Sequence, residues 1–374
     1  MKIVQAVRYF KPVIGGVENY VLNLSNRLAE MGHEVSIVTM KVDGARDYES
    51  LAGIQVYRTS VPHLVEEVVS HKPDIVHAHQ YRLYHADLAI IASRLCHASS
   101  VLTLHGVYPP SDFARAMYYS AHSVTLSPLT LRLVGRIIFL THDEENRILA
   151  LGADRDKLAK IPNAINLEEF MSDASQSTGD EFRDKYEIRD QMILYVGHLA
   201  WNKQIDLLIK MMPGILKKFP KAKLVILGED WGMEKQLKNL ALDLKVDSSV
   251  VFTGLVSRSE LIRAYSACDL FAFPSAYEGM PTVVLEAMAS GKAVVAAKGG
   301  GTRFLVQHNK TGLLAEVNDL AQMQEYVVQL LEDPALKDQL ASNARSYVQK
   351  THGWDNVSSQ IEFLYKELYA SNNC

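Results

Sequence analysis

The sequence predicts an α/β protein built from two Rossmann-like, doubly wound domains that face each other across a cleft. A chain of 374 residues is long enough for two domains, and its 48% of hydrophobic residues can fill two cores. Short apolar runs alternate with longer amphipathic segments, which is the strand–helix–strand repeat of a parallel sheet. A polar stretch interrupts this alternation midway along the chain.

The first part of the chain contains the apolar runs that predict the first sheet. Their continuous Val, Ile and Leu content favours parallel strands buried on both faces. Residues 16–31 predict a helix with one apolar face, which ends at Gly32. We expect a first domain over residues 1–170, with strands at 2–7, 33–40, 54–59, 74–79, 100–105 and 136–141.

The interruption indicates a linker. Residues 172–180 are rich in Ser and Asp and lack periodicity, so we place the linker at residues 171–190. A second domain is expected over residues 191–350, followed by a last helix within 351–374, for which a return to the first domain is one option. The strands predicted for the second domain are 192–197, 223–228, 250–254, 269–274, 293–297 and 312–317.

Composition excludes several classes of protein. The net charge of −4 argues against wide nucleic-acid binding. Three cysteines without a Cys-x-x-Cys pair predict free thiols in a reducing compartment. No uncharged apolar run approaches the roughly 18 residues of a membrane span, and the start lacks the apolar core of a signal peptide. We expect a cytoplasmic protein, soluble or bound peripherally to the inner face of the membrane.

The segment from Glu278 to Glu286 carries the most specific chemistry. Pro281 predicts a helix start, so Glu278 lies on the preceding loop and Glu286 lies inside the helix, roughly 8 Å further along its axis. Carboxylates accept hydrogen bonds from hydroxyls, and amides at a helix start hold phosphate groups. This order suits a sugar, a phosphate and a ribose, and it predicts a sugar-nucleotide enzyme. The donor-binding candidates here are Glu278, Gly279, Met280, Pro281, Thr282 and Glu286.

Further candidates lie at predicted strand ends. Gly15 and Gly16 open the first helix, where glycines let the backbone approach a phosphate or sugar; a simple tight turn is the alternative. His105 ends a strand, where it could donate to a substrate hydroxyl, stabilise developing charge, or be a satisfied structural residue. The triple glycine that includes Gly300 and Gly301 favours a concave anion or hydroxyl site over a flexible loop.

Two cationic candidates follow the first strand of the second domain. Lys203 could neutralise a leaving diphosphate, as phosphoryl clamps do, or be a solvated loop lysine. His198 is nearer the strand end and could share that role when protonated.

Three apparent motifs are discounted. His77 and His79 share one strand face but have no third ligand at metal spacing, so we expect no metal site. The Asp-x-Asp at Asp154 to Asp156 has the composition of a solvated turn. A Walker lysine is absent, since Ala293 follows Lys292.

Together these segments resemble family 4 of the retaining glycosyltransferases, which have the two-domain GT-B fold. The resemblance covers nearly the whole chain, and the Glu-x7-Glu segment is its most specific part. It also includes Pro12-x-x-Gly15-Gly16-Val17-Glu18, Asp74-Ile75-Val76-His77-Ala78-His79, Thr103-Leu104-His105-Gly106, Ile161-Pro162-Asn163-Ala164-Ile165 and Asn309-x-Thr311-Gly312-Leu313-Leu314.

The resemblance implies transfer of a sugar, here a hexose, from a nucleoside-diphosphate sugar to a hydroxyl acceptor with retention. The acceptor would be a glycan, a lipid-linked sugar or a small molecule, and no metal or cofactor is expected. Glu278 would contact the donor sugar and Glu286 the ribose, while Lys203 would neutralise the diphosphate. A front-side path, in which the leaving diphosphate takes the acceptor proton, needs this positive charge and a water-poor site.

The same resemblance implies that the first domain binds the acceptor. Gly16 would lie under the donor phosphates and His105 near the sugar, and the stretch around Gly254 would face the nucleobase. We therefore expect His105, Lys203 and Glu278 to take part in catalysis.

The sequence departs from the family at three positions. The family usually has Arg where His198 stands, Gly where Gln204 stands, and a Glu near Phe304. Losing Arg removes a permanent, fork-shaped phosphate partner, which His replaces poorly. Either Arg303 or Arg8 compensates, or activity is reduced, or the donor is held differently.

Two other functions stay open beside transfer. One is a sugar-nucleotide epimerase on the same fold, and the other is an accessory or nucleotide-sugar-binding subunit with reduced activity. Residues 107–119, with Tyr108, Phe113 and Arg115, could form an acceptor platform or a membrane-facing helix; we favour a core-packing helix.

Overall fold

The chain folds into two compact α/β units, each with its own sheet of mostly parallel strands. The computed structural model describes residues 1–13, 15–106, 113–171 and 179–372. The first unit combines Met1–Ala164 with Trp354–Cys374, and the second spans Ile165–Gly353. The prediction of a two-domain α/β protein is confirmed.

The segment expected as a linker, 171–190, is helical in part. Residues 172–178 lie outside the described residues. Gly179–Lys185 forms a helix that belongs to the second unit. Its Phe182 side chain is buried, and Arg183 donates to the Ala267 carbonyl oxygen at 2.9 Å.

The first unit is organised around an eight-stranded sheet. Its strands are β1 Lys2–Val7, β2 Glu34–Met40, β3 Tyr48–Leu51, β4 Ile54–Thr59, β5 Ile75–His79, β6 Ser99–Thr103, β7 Arg136–Phe139 and β8 Leu158–Lys160. The spatial order is β3-β4-β2-β1-β5-β6-β7-β8, and only the β3–β4 pair is antiparallel. The order runs outward from β1 in both directions, so the carboxyl ends of β1 and β5 form the switch point at which doubly wound sheets bind ligands.

Helices cover both faces of this sheet. They are α1 Gly16–Glu30, α2 Leu64–Ser70, α3 Tyr84–Leu95, α4 Phe113–Val124, α5 Leu126–Leu133, α6 His142–Ala150 and the C-terminal helix Trp354–Asn372. The C-terminal helix packs beside α1 and buries Trp354, Ile361 and Tyr365 in the same apolar cluster as Leu24 of α1. The last helix of the chain therefore completes the core of the first unit.

Helix α4 differs from the core-packing helix that we favoured. Phe113 is 80% exposed and Met117 is 59% exposed, so the apolar side chains at these positions face away from the core. Tyr108 lies outside the described residues, as does the side chain of Arg115. No helix among the described residues is long and apolar enough to cross a bilayer.

The second unit contains a six-stranded parallel sheet. Its strands are β9 Met192–Val196, β10 Lys223–Leu227, β11 Val250–Gly254, β12 Leu270–Phe273, β13 Ala293–Ala297 and β14 Leu313–Ala315. The order is β11-β10-β9-β12-β13-β14, so the switch point lies between the carboxyl ends of β9 and β12. The helices are α7 Leu167–Met171, α8 Gly179–Lys185, α9 Ile205–Lys218, α10 Glu234–Asp243, α11 Arg258–Ala267, α12 Thr282–Ala289, α13 Thr302–Leu305, α14 Leu320–Glu332 and α15 Pro334–Thr351.

The glycine loop after β13 lies directly on the backbone of residues 276–279. A Cβ atom on Gly301 would lie 1.4 Å from the Gly279 carbonyl oxygen, and one on Gly299 would lie 2.4 Å from the Ala276 carbonyl oxygen. The Gly301 amide donates to the Glu278 carbonyl oxygen at 2.8 Å. The glycines are therefore needed for close approach of two backbones, and the Gly301 amide is already used within the protein.

Replacing Gly301 with alanine should lower the free energy of unfolding by about 3 kcal/mol, because two backbones must separate to admit the methyl group. Urea denaturation followed by circular dichroism measures this. Gly16→Ala is the control, since a Cβ atom there meets nothing within 4 Å. A Gly301→Ala protein as stable as the Gly16→Ala protein would contradict the close packing of the loop.

Candidate functional site

Lys203 and Glu278 form a close ion pair in the second unit. Lys203 follows β9 and Glu278 follows β12, the two strands that flank the switch point, so the sheet order brings them together. The Lys203 Nζ atom lies 2.5 Å from Glu278 Oε1, and the two side chains are 18% and 13% exposed. This pair joins two residues that the sequence analysis selected for separate reasons.

The Glu278 carboxylate is held in place by a second donor. Ser275 Oγ donates to Glu278 Oε1 at 2.7 Å, so one oxygen receives both Lys203 and Ser275. Each carboxylate oxygen can accept two hydrogen bonds, which leaves acceptor capacity on Oε2 for ligand hydroxyls. Ser275 was not selected from the sequence, where a lone serine beside a strand end carries no signal.

Three neighbouring strands of the second sheet end in glycine. Gly197 and Gly228 follow β9 and β10, and Gly254 is the last residue of β11. A Cβ atom on Gly228 would lie 2.0 Å from the Gly197 carbonyl oxygen, and the Gly228 amide donates to the Gly254 carbonyl oxygen at 3.1 Å. The carboxyl edge is therefore free of side chains at these three positions, which lets ligand atoms approach the backbone. Gly228 was not among the candidates selected from the sequence.

His198 lies beside Gly197 in an aromatic stack. Its ring stacks on Trp231 with a centroid distance of 4.0 Å and an angle of 20° between the planes. His198 Nδ1 is 3.8 Å from Glu229 Oε2, too far for a hydrogen bond. Burial and the nearby Lys203 ammonium lower the pKa of His198, against the opposing effect of Glu229 and Glu278. The imidazole is therefore neutral at pH 7 in the ligand-free protein.

Glu286 is buried on α12 and has two partners. It is 7% exposed, Arg258 donates to Oε1 at 2.9 Å, and the Tyr265 hydroxyl lies 3.0 Å from Oε2. Arg258 also binds Glu169 Oε2 at 2.7 Å. Burial raises the pKa of Glu286, and Arg258 and Tyr265 oppose that rise. The carboxylate is thus fixed in orientation, with one acceptor position left on each oxygen.

Replacing Arg258 with methionine should lower the free energy of unfolding by about 2 kcal/mol, since Glu286 would stay buried without its cation. The loss should be larger at pH 8 than at pH 5, because the unpaired carboxyl has a still higher pKa and its ionisation at high pH opposes folding. Thermal denaturation at both pH values measures this. Arg263→Met is the matched control, since Arg263 on the same helix forms an exposed pair with Glu181.

Helix α12 begins one residue later than expected. Pro281 is the extended residue that precedes the helix, and Thr282 is the first helical residue. Gly279 and Met280 lie in the loop between Glu278 and this helix start. The candidate residues 278–282 therefore form one continuous loop-to-helix junction, as the sequence indicated.

The first unit places its own candidates at the carboxyl edge of its sheet. Gly15 precedes α1, and a Cβ atom there would lie 2.3 Å from Glu18 Oε2, whereas Gly16 has open space around its Cα. His105 follows β6 with a left-handed backbone (φ 53°) and lies 2.9 Å from His79 through their ring nitrogens. Burial lowers the pKa of His105 to about 3, so it is neutral at pH 7 and cannot stabilise negative charge as a cation.

The discounted motifs have structural roles. His77 and His79 take part in a buried hydrogen-bond chain with Tyr365 and Gln5. Asp154 caps a short helical turn by accepting from the Asp156 amide at 3.1 Å.

Both parts of the chain match known families. Residues 14–169 match the family described as Glycosyltransferase Family 4, and residues 179–347 match the family described as Glycosyl transferases group 1. Each match lies mainly within one of the two structural units.

Relatives and solved structures match over nearly the full length. An uncharacterised glycosyltransferase of Methanocaldococcus jannaschii is 29% identical, with 98% of each chain covered. A phosphatidyl-myo-inositol mannosyltransferase of Mycolicibacterium smegmatis is 26% identical, covering 98% of this chain and 94% of its own. The Anabaena protein Alr3699/HepE, solved with UDP-glucose, has a TM-score of 0.82 at 21% identity, with 98% and 100% of the chains covered. The likeness to the solved structure confirms the predicted two-domain fold.

Proposed function

This chain belongs to the glycosyltransferases of family 4 and group 1, and from that premise we propose that it transfers a hexose from a nucleoside-diphosphate sugar to a hydroxyl acceptor. The observation that carries the proposal is the Lys203–Glu278 pair at the switch point of the second sheet. The pair places a cation that can bind phosphate beside a carboxylate that can accept hydrogen bonds from hydroxyls. The neighbouring strands are followed by, or end in, glycine.

The roles follow from the chemistry of each group. Lys203 would neutralise the leaving diphosphate, and Glu278 would accept hydrogen bonds from sugar hydroxyls. Glu286, already oriented by Arg258 and Tyr265, would use its remaining acceptor positions for the ribose hydroxyls. The stretch that ends at Gly254 would face the nucleobase.

We also propose that transfer proceeds with retention and without a metal. In a front-side path the leaving diphosphate takes the acceptor proton, so the site needs positive charge on the diphosphate rather than a second carboxylate nucleophile. Lys203 supplies that charge. Support for a hexose comes from relatives named as mannosyltransferases and from the UDP-glucose complex of the Anabaena protein.

Incubation with a panel of UDP- and GDP-hexoses should release nucleoside diphosphate slowly without an acceptor, with the same rate in EDTA. Mass spectrometry of the products measures this. A new sugar-nucleotide isomer would instead show an epimerase, and a rate that EDTA abolishes would contradict metal independence. The Lys203→Met protein is the control for contaminating hydrolases.

One observation favours a second function, that of a binding subunit with reduced activity. The position where the family usually has Arg carries a neutral His198 with Glu229 nearby, which weakens the positive field for a diphosphate. Tight binding of a nucleotide sugar, with neither hydrolysis nor transfer of any UDP- or GDP-hexose tested, would establish this second function.

Peripheral contact of the first unit with a membrane stays a prediction. It is supported by the exposed apolar side chains of α4, which include Phe113, Met117 and Val124.

A further inference from the structure

A chain of hydrogen-bonded side chains runs through the first unit from the C-terminal helix to His105, at the carboxyl edge of its sheet. It begins at the C-terminal helix and crosses strands β1, β5 and β6. Apart from His105, which is partly exposed at its strand end, the members are fully buried. They are Tyr365, Gln5, His77, His79, Thr103 and His105.

The contacts are continuous along this chain. The Tyr365 hydroxyl lies 2.5 Å from His77 Nδ1, and His77 Nε2 lies 2.7 Å from Thr103 Oγ1. On the other side, Gln5 Nε2 lies 3.4 Å from the Tyr365 hydroxyl. Gln5 Oε1 lies 2.7 Å from His79 Nε2, and His79 Nδ1 lies 2.9 Å from His105 Nε2.

All three imidazoles are neutral, so each has one donor nitrogen and one acceptor nitrogen. Burial lowers the pKa of His77 and of His105 to about 3, and it lowers the pKa of His79 well below its usual value. With a single proton on each ring, the direction of one hydrogen bond fixes the direction of the next. The Tyr365 hydroxyl proton can lie toward His77 or toward Gln5, and these two positions give the chain opposite polarities.

The Tyr365–His77 contact selects between these polarities. A separation of 2.5 Å lies at the short limit of the range for an O–H donor and below the range for an N–H donor. Tyr365 therefore donates to His77 Nδ1, and its oxygen is left to accept from the Gln5 amide nitrogen. This orients Gln5 with Oε1 toward His79, so His79 donates from Nε2 and accepts at Nδ1 from His105 Nε2.

We propose that Tyr365 and Gln5 are positioning residues that hold His105 in the tautomer protonated on Nε2, so that Nδ1 is a hydrogen-bond acceptor for a substrate hydroxyl. The use of Nδ1 by a substrate rests on the proposed transferase function, whereas the tautomer does not. This reverses the donor role that the sequence suggested for His105. A substrate hydroxyl at this position must donate its proton to the ring.

The tautomer can be measured without substrate. Two-bond ¹H–¹⁵N correlation spectra of histidine-labelled protein distinguish a protonated ring nitrogen from a bare one. We expect His105 in the wild-type protein to be protonated on Nε2 and bare on Nδ1 from pH 6 to 8. A His105 protonated on Nδ1, or protonated on both nitrogens, would overturn the proposal. This measurement uses the wild-type protein and therefore does not depend on the folding of a variant.

Variants then test the dependence on Tyr365 and Gln5. In Tyr365→Phe and in Gln5→Met, His105 should show both tautomers, and KM for the substrate that contacts it should rise about fivefold with kcat nearly unchanged. Ser358→Ala is the matched control, since Ser358 is buried on the same helix and donates to the Trp354 carbonyl oxygen. An unchanged tautomer in both folded variants would overturn the proposal. The expected tautomers without any turnover would support the positioning role of Tyr365 and Gln5, and would overturn the transferase function together with the use of Nδ1 by its substrate.

Discussion

Replacing Glu278 with glutamine should reduce kcat/KM for the nucleotide-sugar donor by about 100- to 1000-fold. The substitution keeps the shape of the side chain but removes the negative charge that orients Lys203. The Lys203 ammonium group donates a hydrogen bond to Glu278 Oε1 at 2.5 Å. The substitution also replaces an acceptor oxygen by a donor group toward the sugar hydroxyls. Losses of this size are usual when one preorganised group is removed from a transfer site.

The two partners should behave as one unit. Lys203→Met should cost a similar factor, and the double variant should be hardly worse than either single variant, because each leaves the other residue without its partner. Lys298→Met is the control, since Lys298 forms an exposed pair with Glu316 in the same unit. Steady-state kinetics of the four proteins gives the result. Additive losses would show that the pair does not act together.

Donor affinity should rise as the pH falls from 8 to 5, by up to about tenfold per pH unit. His198 is neutral in the free protein because burial and Lys203 lower its pKa. A bound diphosphate would favour the imidazolium and raise that pKa, so binding takes up a proton. Donor affinity begins to rise when the pH falls below the pKa of His198 in the complex. It stops rising when the pH falls below the lower pKa of His198 in the free protein.

Calorimetry with an intact nucleotide sugar measures this linkage, because its phosphates lack the ionisation near pH 6 of a phosphate monoester. His198→Arg should remove the pH dependence and raise turnover, since the guanidinium is permanently charged and fork-shaped. His198→Gln should also remove the dependence while keeping the weak affinity of high pH. A tenfold loss of turnover in His198→Arg would show instead that the Trp231 stack gives His198 a specialised role.

The sequence predicted the features that depend on local pattern. Buried parallel strands have continuous apolar runs, so the strands that carry the site were located to within about two residues. The strand order then explains why Lys203 and Glu278, which are 75 positions apart, form a pair. Strands β3 and β8 were missed because they are short: β3 has four residues with a polar centre, and β8 has three residues, too few for an apolar run.

The partners of the site residues could not be predicted in the same way. Arg258 and Tyr265 lie on one helix as ordinary polar and aromatic residues, and only packing shows that both reach Glu286. The sequence predicts ligand binding for the glycine loop, which stays a prediction, and carries no sign that these glycines also meet another backbone. Tyr365 is 360 positions from Gln5, a separation at which periodicity carries no information.

The C-terminal helix has a consequence for how the polypeptide is made. Trp354, Ile361 and Tyr365 belong to the core of the first unit, although they are translated after the whole of the second. During synthesis the core of the first unit stays unfinished until the helix Trp354–Asn372 has left the exit tunnel of the ribosome. A stop codon just before Trp354 would therefore damage the first unit and leave the second unit's own residues complete, so the first unit would be exposed to chaperones and proteases.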